Sequence, residues 1–171
     1  IVTAGGTQAL FSAFYILLNP GEELIVPDPG FLVYGSQVTL AGGNPVYLPI
    51  REKNGFQIDP DELKRLITKK TKAILINSPS NPTGMVINEE AMKEIAKIAI
   101  EHHLMVISDE IYEDILFDGK KHISIASFPD MAERTISIFG FSKSYAMTGW
   151  RLAYLVCPGF LINEMIKVQQ N

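Results

Sequence analysis

The sequence predicts an α/β fold: a mostly parallel seven-stranded sheet, helices on both faces, and a last strand that runs antiparallel. Three observations lead there. Short apolar, β-branched runs alternate with longer helical patterns over the whole chain, as they do when parallel strands are covered on both sides. Clusters of Gly, Pro, Asn and Asp separate one run from the next. Residues 140–151 alone join the last two strands, whereas a parallel crossover needs a dozen or more residues, usually helical. That link must also present a lysine, so the seventh strand is expected to reverse direction.

The elements follow in order. Residues 1–4 read as a short strand, and Gly5-Gly6-Thr7 turns it into an apolar helix over 8–18 that Asn19-Pro20-Gly21 closes. Residues 23–27 form the second strand. Asp28-Pro29-Gly30 is a turn, and a helix over 31–40 stops at Gly42-Gly43. The third strand is 45–50, followed by a turn at Asn54-Gly55. Asp59-Pro60-Asp61-Glu62 is a strong helix start, with aspartate as N-cap, proline at N1 and glutamate at N3. The fourth strand, 72–77, is apolar through Ala73-Ile74-Leu75-Ile76 and leads into a loop rich in proline and asparagine. Asn88 caps a helix to about 103, with Glu89 and Glu90 at its positive end. The fifth strand, 104–108, ends at Asp109. The sixth is 134–139 and the seventh 152–157, and a helix starts at Gly159. There is no internal repeat.

Composition limits what such a fold can do. The 171 residues suffice for one domain with a sizeable core, and 47 % hydrophobic content marks a globular chain. A net charge of -4 gives no electrostatic footprint for nucleic acid. No apolar run reaches membrane-spanning length. Cys157 is the lone cysteine, reads as a small core residue, and fits a reducing compartment. The opening residues are no signal peptide. Both ends read as cuts: the chain begins with a strand running straight into a turn, without methionine, and stops inside a helical pattern.

The unusual polar residues fall at the carboxyl ends of the predicted strands, where parallel sheets gather ligands. Lys143 follows the strand Thr135-Ile136-Ser137-Ile138-Phe139 in a glycine-, aromatic- and hydroxyl-rich segment. Such a lysine can lose solvent and act as an amine nucleophile, or it is a solvated loop residue. Gly5-Gly6-Thr7 opens a helix whose free N–H groups suit a phosphate, or is only a turn. Asn81 carries an amide that can donate to a phenolate oxygen, or merely makes turn chemistry with Pro82. Asp109, behind Val106-Ile107-Ser108, needs a partner for a desolvated carboxylate; a protonated ring nitrogen or a following helix turn would each supply one. Tyr112 lies near it if that turn forms. Arg151 suits a phosphate dianion. His102 and His103 sit on a helix end, and no His/Cys cluster has metal spacing. Neither a dinucleotide-binding glycine motif nor a P-loop is present. An imine-forming lysine, an aspartate for a ring nitrogen, donors for a phenolate and a phosphate seat together point to pyridoxal 5'-phosphate.

At these residues the sequence resembles the large domain of fold-type I pyridoxal-phosphate aminotransferases of classes I and II, in the aspartate aminotransferase-like subgroup. Asn77-Ser78-Pro79-Ser80-Asn81-Pro82-Thr83-Gly84, Ser108-Asp109-Glu110-Ile111-Tyr112 and the stretch from Phe141-Ser142-Lys143 to Gly149-Trp150-Arg151 match in the family's order. The resemblance implies that Lys143 is the Schiff-base lysine, that Asp109 pairs with the pyridine nitrogen, and that Asn81 and Tyr112 meet the ring hydroxyl. It places Gly5, Gly6, Thr7, Ser142 and Arg151 around the phosphate, Phe31 against the ring, and cis bonds at Asp28–Pro29 and Asn81–Pro82. Gly140 stands where many members carry a hydroxyl or amide. The resemblance further implies amino transfer between an amino acid and a 2-oxo acid, in a cytoplasmic homodimer. C–S lyases and cyclopropane-carboxylate synthases share these residues, and an alternative of another class is a non-catalytic aminotransferase-like sensor domain fused to a DNA-binding helix-turn-helix. The family's substrate-carboxylate arginine lies in a C-terminal small domain, and a phosphate-reaching tyrosine comes from the neighbouring subunit. Residues 1–171 are therefore expected to be the cofactor-binding domain alone and not to transaminate in isolation.

Overall fold

The computed structural model describes residues 1–170. One seven-stranded sheet runs through it: β1 (Val2–Thr3), β2 (Glu23–Asp28), β3 (Asn44–Pro49), β4 (Thr71–Asn77), β5 (Met105–Asp109), β6 (Thr135–Gly140) and β7 (Ala153–Val156). The strand order is β1-β7-β6-β5-β4-β2-β3. Only β7 runs against its neighbours; it pairs antiparallel with β1 and β6, and the other pairs are parallel. The short link after β6 thus reverses the chain as the sequence required.

Period-two alternation divides the strand side chains between two cores. Ile25, Ile74, Ile76 and Val106 face α3 (Pro60–Leu66) and α4 (Glu89–Glu101). Leu24, Val26, Leu75 and Ile107 face α1 (Gly6–Leu17), α2 (Val33–Leu40) and α5 (Gly159–Gln170). The strands are apolar on both sides because both sides are covered.

The predicted helix starts hold. Asp59 accepts from the amides of Asp61 and Glu62 with Pro60 at N1, and Asn88 accepts from Ala91 N at 2.8 Å. Caps of this kind contribute about 1 kcal/mol each. Several boundaries shift. β1 is two residues long, because Ala4 N turns away to donate to Gln8 Oε1 at 2.6 Å. α1 begins at Gly6 rather than residue 8, and α2 at Val33 rather than 31, after the turn in which Tyr34 N donates to Phe31 O. β7 is shorter at both ends than expected. Asp28–Pro29 and Asn81–Pro82 are cis as expected, and Ser78–Pro79 is a third cis bond that the sequence reading did not single out. Among the described residues no helix is long and apolar enough to cross a membrane.

Candidate functional site

The parallel strands end along one edge of the sheet, and a cavity of about 270 Å³ opens there. Nine of the ten residues singled out from the sequence line it: Gly6, Thr7, Phe31, Asn81, Asp109, Tyr112, Ser142, Lys143 and Arg151. The tenth, Gly5, lies beneath Arg151 instead of in the wall. Its φ of 79° and ψ of 165° belong to a region open essentially to glycine, and a Cβ there would sit 2.9 Å from Arg151 Cζ and closer still to Nη2. Gly5 therefore makes room for the guanidinium.

Arg151 itself adopts the left-handed conformation, φ 49°, and its Nη1 donates to Thr148 O at 3.1 Å, so the fork is anchored beside the start of α1. No side chain caps that helix. Its first-turn amides have no intrahelical acceptors, and with Arg151 they form an electropositive seat for an anion.

Asp109 ends β5 and is 4 % exposed. Tyr34 Oη donates to its Oδ2 at 2.7 Å, and Ile111 N donates to its Oδ1 at 3.3 Å. Burial pushes the carboxyl above its ordinary range; the two donors pull the other way without cancelling it, and Glu110 adds to the rise. Of the two sequence-based alternatives for Asp109, the helix cap is realised only as a turn. Asp109 caps a local turn, although residues 110–115 form turns with Glu113 N on Glu110 O and Ile115 N on Tyr112 O, not a helix. It also faces the cavity.

Asn77, at the end of β4, ties the neighbouring loop to this strand. Its Nδ2 donates to Asp109 O at 3.0 Å and its Oδ1 accepts from Asn81 N at 2.7 Å. Asn81 and Tyr112 are in this way brought to one wall. Lys143 Nζ lies 5.7 Å from the centre of the Tyr112 ring. Of the two readings of Lys143, loss of solvent is not found. The side chain is exposed, although the preceding Ser142 in the same segment is buried.

Three contributors were missed in the sequence. Tyr34 follows Phe31 by one helical turn and meets it edge-on, ring centres 5.6 Å apart. Asn77 read only as the last residue of the fourth strand. Glu110, 1 % exposed, is clasped by His122 Nε2 at 2.6 Å and Ser124 Oγ at 2.8 Å, which fastens the chain after Tyr112 back onto the sheet. Acidic residues beside an aspartate gave a signal for the last only through their burial, which sequence does not display.

The family model for class I and II aminotransferases matches residues 1–171. An aspartate aminotransferase of Pyrococcus abyssi is 49 % identical over 169 residues, covering 99 % of this chain and 43 % of the relative. An aromatic-amino-acid aminotransferase of Thermococcus litoralis is 45 % identical over the same shares. Among solved structures, an aromatic aminotransferase from Pyrococcus horikoshii superposes with a TM-score of 0.97 at 46 % identity, over 99 % of this chain and 45 % of that one. An aspartate aminotransferase from Thermus thermophilus with maleate superposes at 0.95 and 42 %, over 99 % and 44 %. The chain thus spans less than half the length of these relatives. The family model spans the chain and the relatives match it in sequence and fold: the chain belongs to the class I and II aminotransferase family.

Proposed function

We propose that this chain is the cofactor-binding large domain of a protein that moves an amino group between an amino acid and a 2-oxo acid, using pyridoxal 5'-phosphate. The observation that carries the reading is the convergence of Lys143, Asp109, Asn81, Tyr112 and Arg151 with the uncapped start of α1 on one cavity. Each part fits a different part of that cofactor. The helix start and Arg151 suit a phosphate. Asp109 has only neutral donors and so favours a cation, such as a protonated ring nitrogen. Leu10, Phe31 and Ile111 supply apolar wall for a ring, and the Asn81 amide and the Tyr112 hydroxyl suit a phenolate.

Pyridoxal phosphate, when bound, supplies a carbonyl carbon for an amine and a ring that takes up electrons from substrate Cα. Lys143 Nζ is the amine that would hold it and, once freed, the base that takes the Cα proton and returns it elsewhere. Lys143 is exposed and lines the cavity, which leaves it reachable by a substrate amine. Asp109 would keep the ring nitrogen protonated. Ser142, 6 % exposed, and Thr7 add hydroxyls near the anion seat. Assembly as a homodimer and a cytoplasmic location belong to the same proposal and are supported by the family resemblance. The names of the relatives make aspartate and aromatic amino acids the first substrates to try.

The test is chemical labelling. The intact protein is loaded with pyridoxal phosphate, reduced with borohydride, and digested. The pyridoxyl mass is expected on the peptide containing Lys143. A label confined to another lysine would remove the basis of the assignment.

A further inference from the structure

We propose that Tyr34 is a positioning residue of this site, its hydroxyl fixing the Asp109 carboxylate toward the cavity while its ring supports Phe31. The inference rests on the reading of the cavity as a pyridoxal-phosphate site. Tyr34 is 2 % exposed and stands in the first turn of α2, far from Asp109 in the chain. Its Oη donates to Asp109 Oδ2 at 2.7 Å, a short bond to a charged acceptor. Burial, with the Asp109 charge behind it, raises the phenol well above its usual range, so Tyr34 keeps its proton and remains the donor.

The chemical identity of this donor matters. A carboxylate has about four lone-pair sites. Tyr34 and the Ile111 amide use two of them. Among the described residues no lysine, arginine or histidine forms an ion pair with Asp109. A cationic partner would neutralise Asp109 and remove its attraction for a protonated ring nitrogen. A phenol orients the carboxylate and favours its ionised form while leaving the negative charge available to the cavity. Tyr112 and Glu110 are the other titratable groups that act on this pair, the first on Tyr34 and the second on Asp109. The edge-on contact with Phe31 at 85° gives the Tyr34 ring a second task, holding the apolar wall.

Tyr34→Phe separates the two tasks, since it keeps the ring and removes the donor. In the intact protein, affinity for pyridoxal phosphate and for its analogue with C–H in place of the ring nitrogen is read from the absorption of the bound cofactor. Tyr34→Phe is expected to weaken pyridoxal phosphate roughly 10-fold, as loss of a hydrogen bond to a charged group does. It should leave the analogue within about 2-fold, because the analogue makes no call on the Asp109 charge. In an Asp109→Asn background the Tyr34→Phe step should have no further effect on either. Equal weakening of both cofactors would show a packing role only and overturn the proposal, as would unchanged affinity for pyridoxal phosphate. A wild-type protein that binds no pyridoxal phosphate would overturn the reading of the whole cavity and Tyr34's role with it. Binding of the analogue by Tyr34→Phe also shows that the variant is folded.

Discussion

Gly5→Ala tests the anion seat through the residue that makes room for it. Two effects are expected, and the structure separates them. The backbone at φ 79°, ψ 165° is a conformation that a side chain occupies at a cost of about 1–3 kcal/mol. For a chain of this size each kcal/mol lowers the melting temperature by roughly 2–4 °C, so the cofactor-free variant should melt about 2–12 °C lower. The new Cβ also falls within 2.9 Å of Arg151 Cζ. Arg151 is exposed and can swing away, so this clash should affect the anion seat more than the fold. A guanidinium displaced enough to weaken pyridoxal phosphate tenfold would remove about 1.4 kcal/mol of the cofactor's stabilisation at saturating concentration. Gly21→Ala is the control. It has φ 84° and nothing within 4 Å of the added carbon, so it carries backbone strain without the clash. The assay is thermal unfolding of both variants and the wild type, with and without pyridoxal phosphate. The cofactor-induced rise should shrink for Gly5→Ala and persist for Gly21→Ala. A Gly5→Ala protein that melts and responds to the cofactor like wild type would refute the placement of Arg151 over Gly5.

Three further outcomes are expected. Lys143→Ala should abolish the visible band of bound cofactor and lower turnover by at least about 10²–10⁴-fold, the range for loss of a general base; a retained band means that another lysine carries the carbonyl. Asp109→Asn should lower turnover and, at neutral pH, raise the melting temperature of the cofactor-free protein. Burial holds the Asp109 carboxyl above its ordinary range, so the folded state binds its proton more tightly than the unfolded state, and stability falls as pH rises toward the raised value. The amide removes that cost, and a variant less stable than wild type at neutral pH would contradict the argument. Glu110→Gln should cost about 1.5–3 kcal/mol near neutral pH through loss of hydrogen bonds to a charged acceptor. Burial opposes the Glu110 charge, but His122 and Ser124 outweigh it and hold the carboxyl below its ordinary range. Its stabilisation is therefore complete above the unfolded value and lost as pH falls through the folded one, so the melting curves of variant and wild type should converge in acid.

The fold was legible because its signals are local. Alternating apolar runs, the Asp59-Pro60 and Asn88 helix starts and the short link after β6 each act within a few residues, and each is found in the structure. The wall of the cavity was legible for a related reason: residues at strand ends are forced to one edge of a parallel sheet. What could not be read depends on pairs distant in sequence. Tyr34 and Asp109 are 75 residues apart, and Asn77 and Asp109 are 32 apart. Nothing in the spacing of Tyr34 distinguishes it from an apolar helix residue. The exposure of Lys143 was left open between two readings because a motif specifies which residue follows the strand, not how deep the following loop lies.

Asp109 and Glu110 show how the fold divides two adjacent carboxylates between structure and chemistry. Successive residues at a strand end point to opposite sides of the sheet. Asp109 faces the cavity and meets a phenol and an amide; Glu110 faces away and meets a histidine and a serine. Both are almost fully buried. Burial alone would raise both, so the partners decide the difference: Asp109 stays above its ordinary range and Glu110 falls below. Glu110 is spent on holding the segment after Tyr112 in place, with its charge answered at 2.6 Å by His122 when that ring is protonated. Asp109 keeps a charge that no cation among the described residues answers, beside a cavity whose far side is seated for an anion. Environments that push neighbouring titratable groups apart assign them different tasks. Here the division leaves one carboxylate for the frame and one facing the cavity, as the proposed pairing with a positively charged ring needs, and exchanging their partners would leave the cavity without the second.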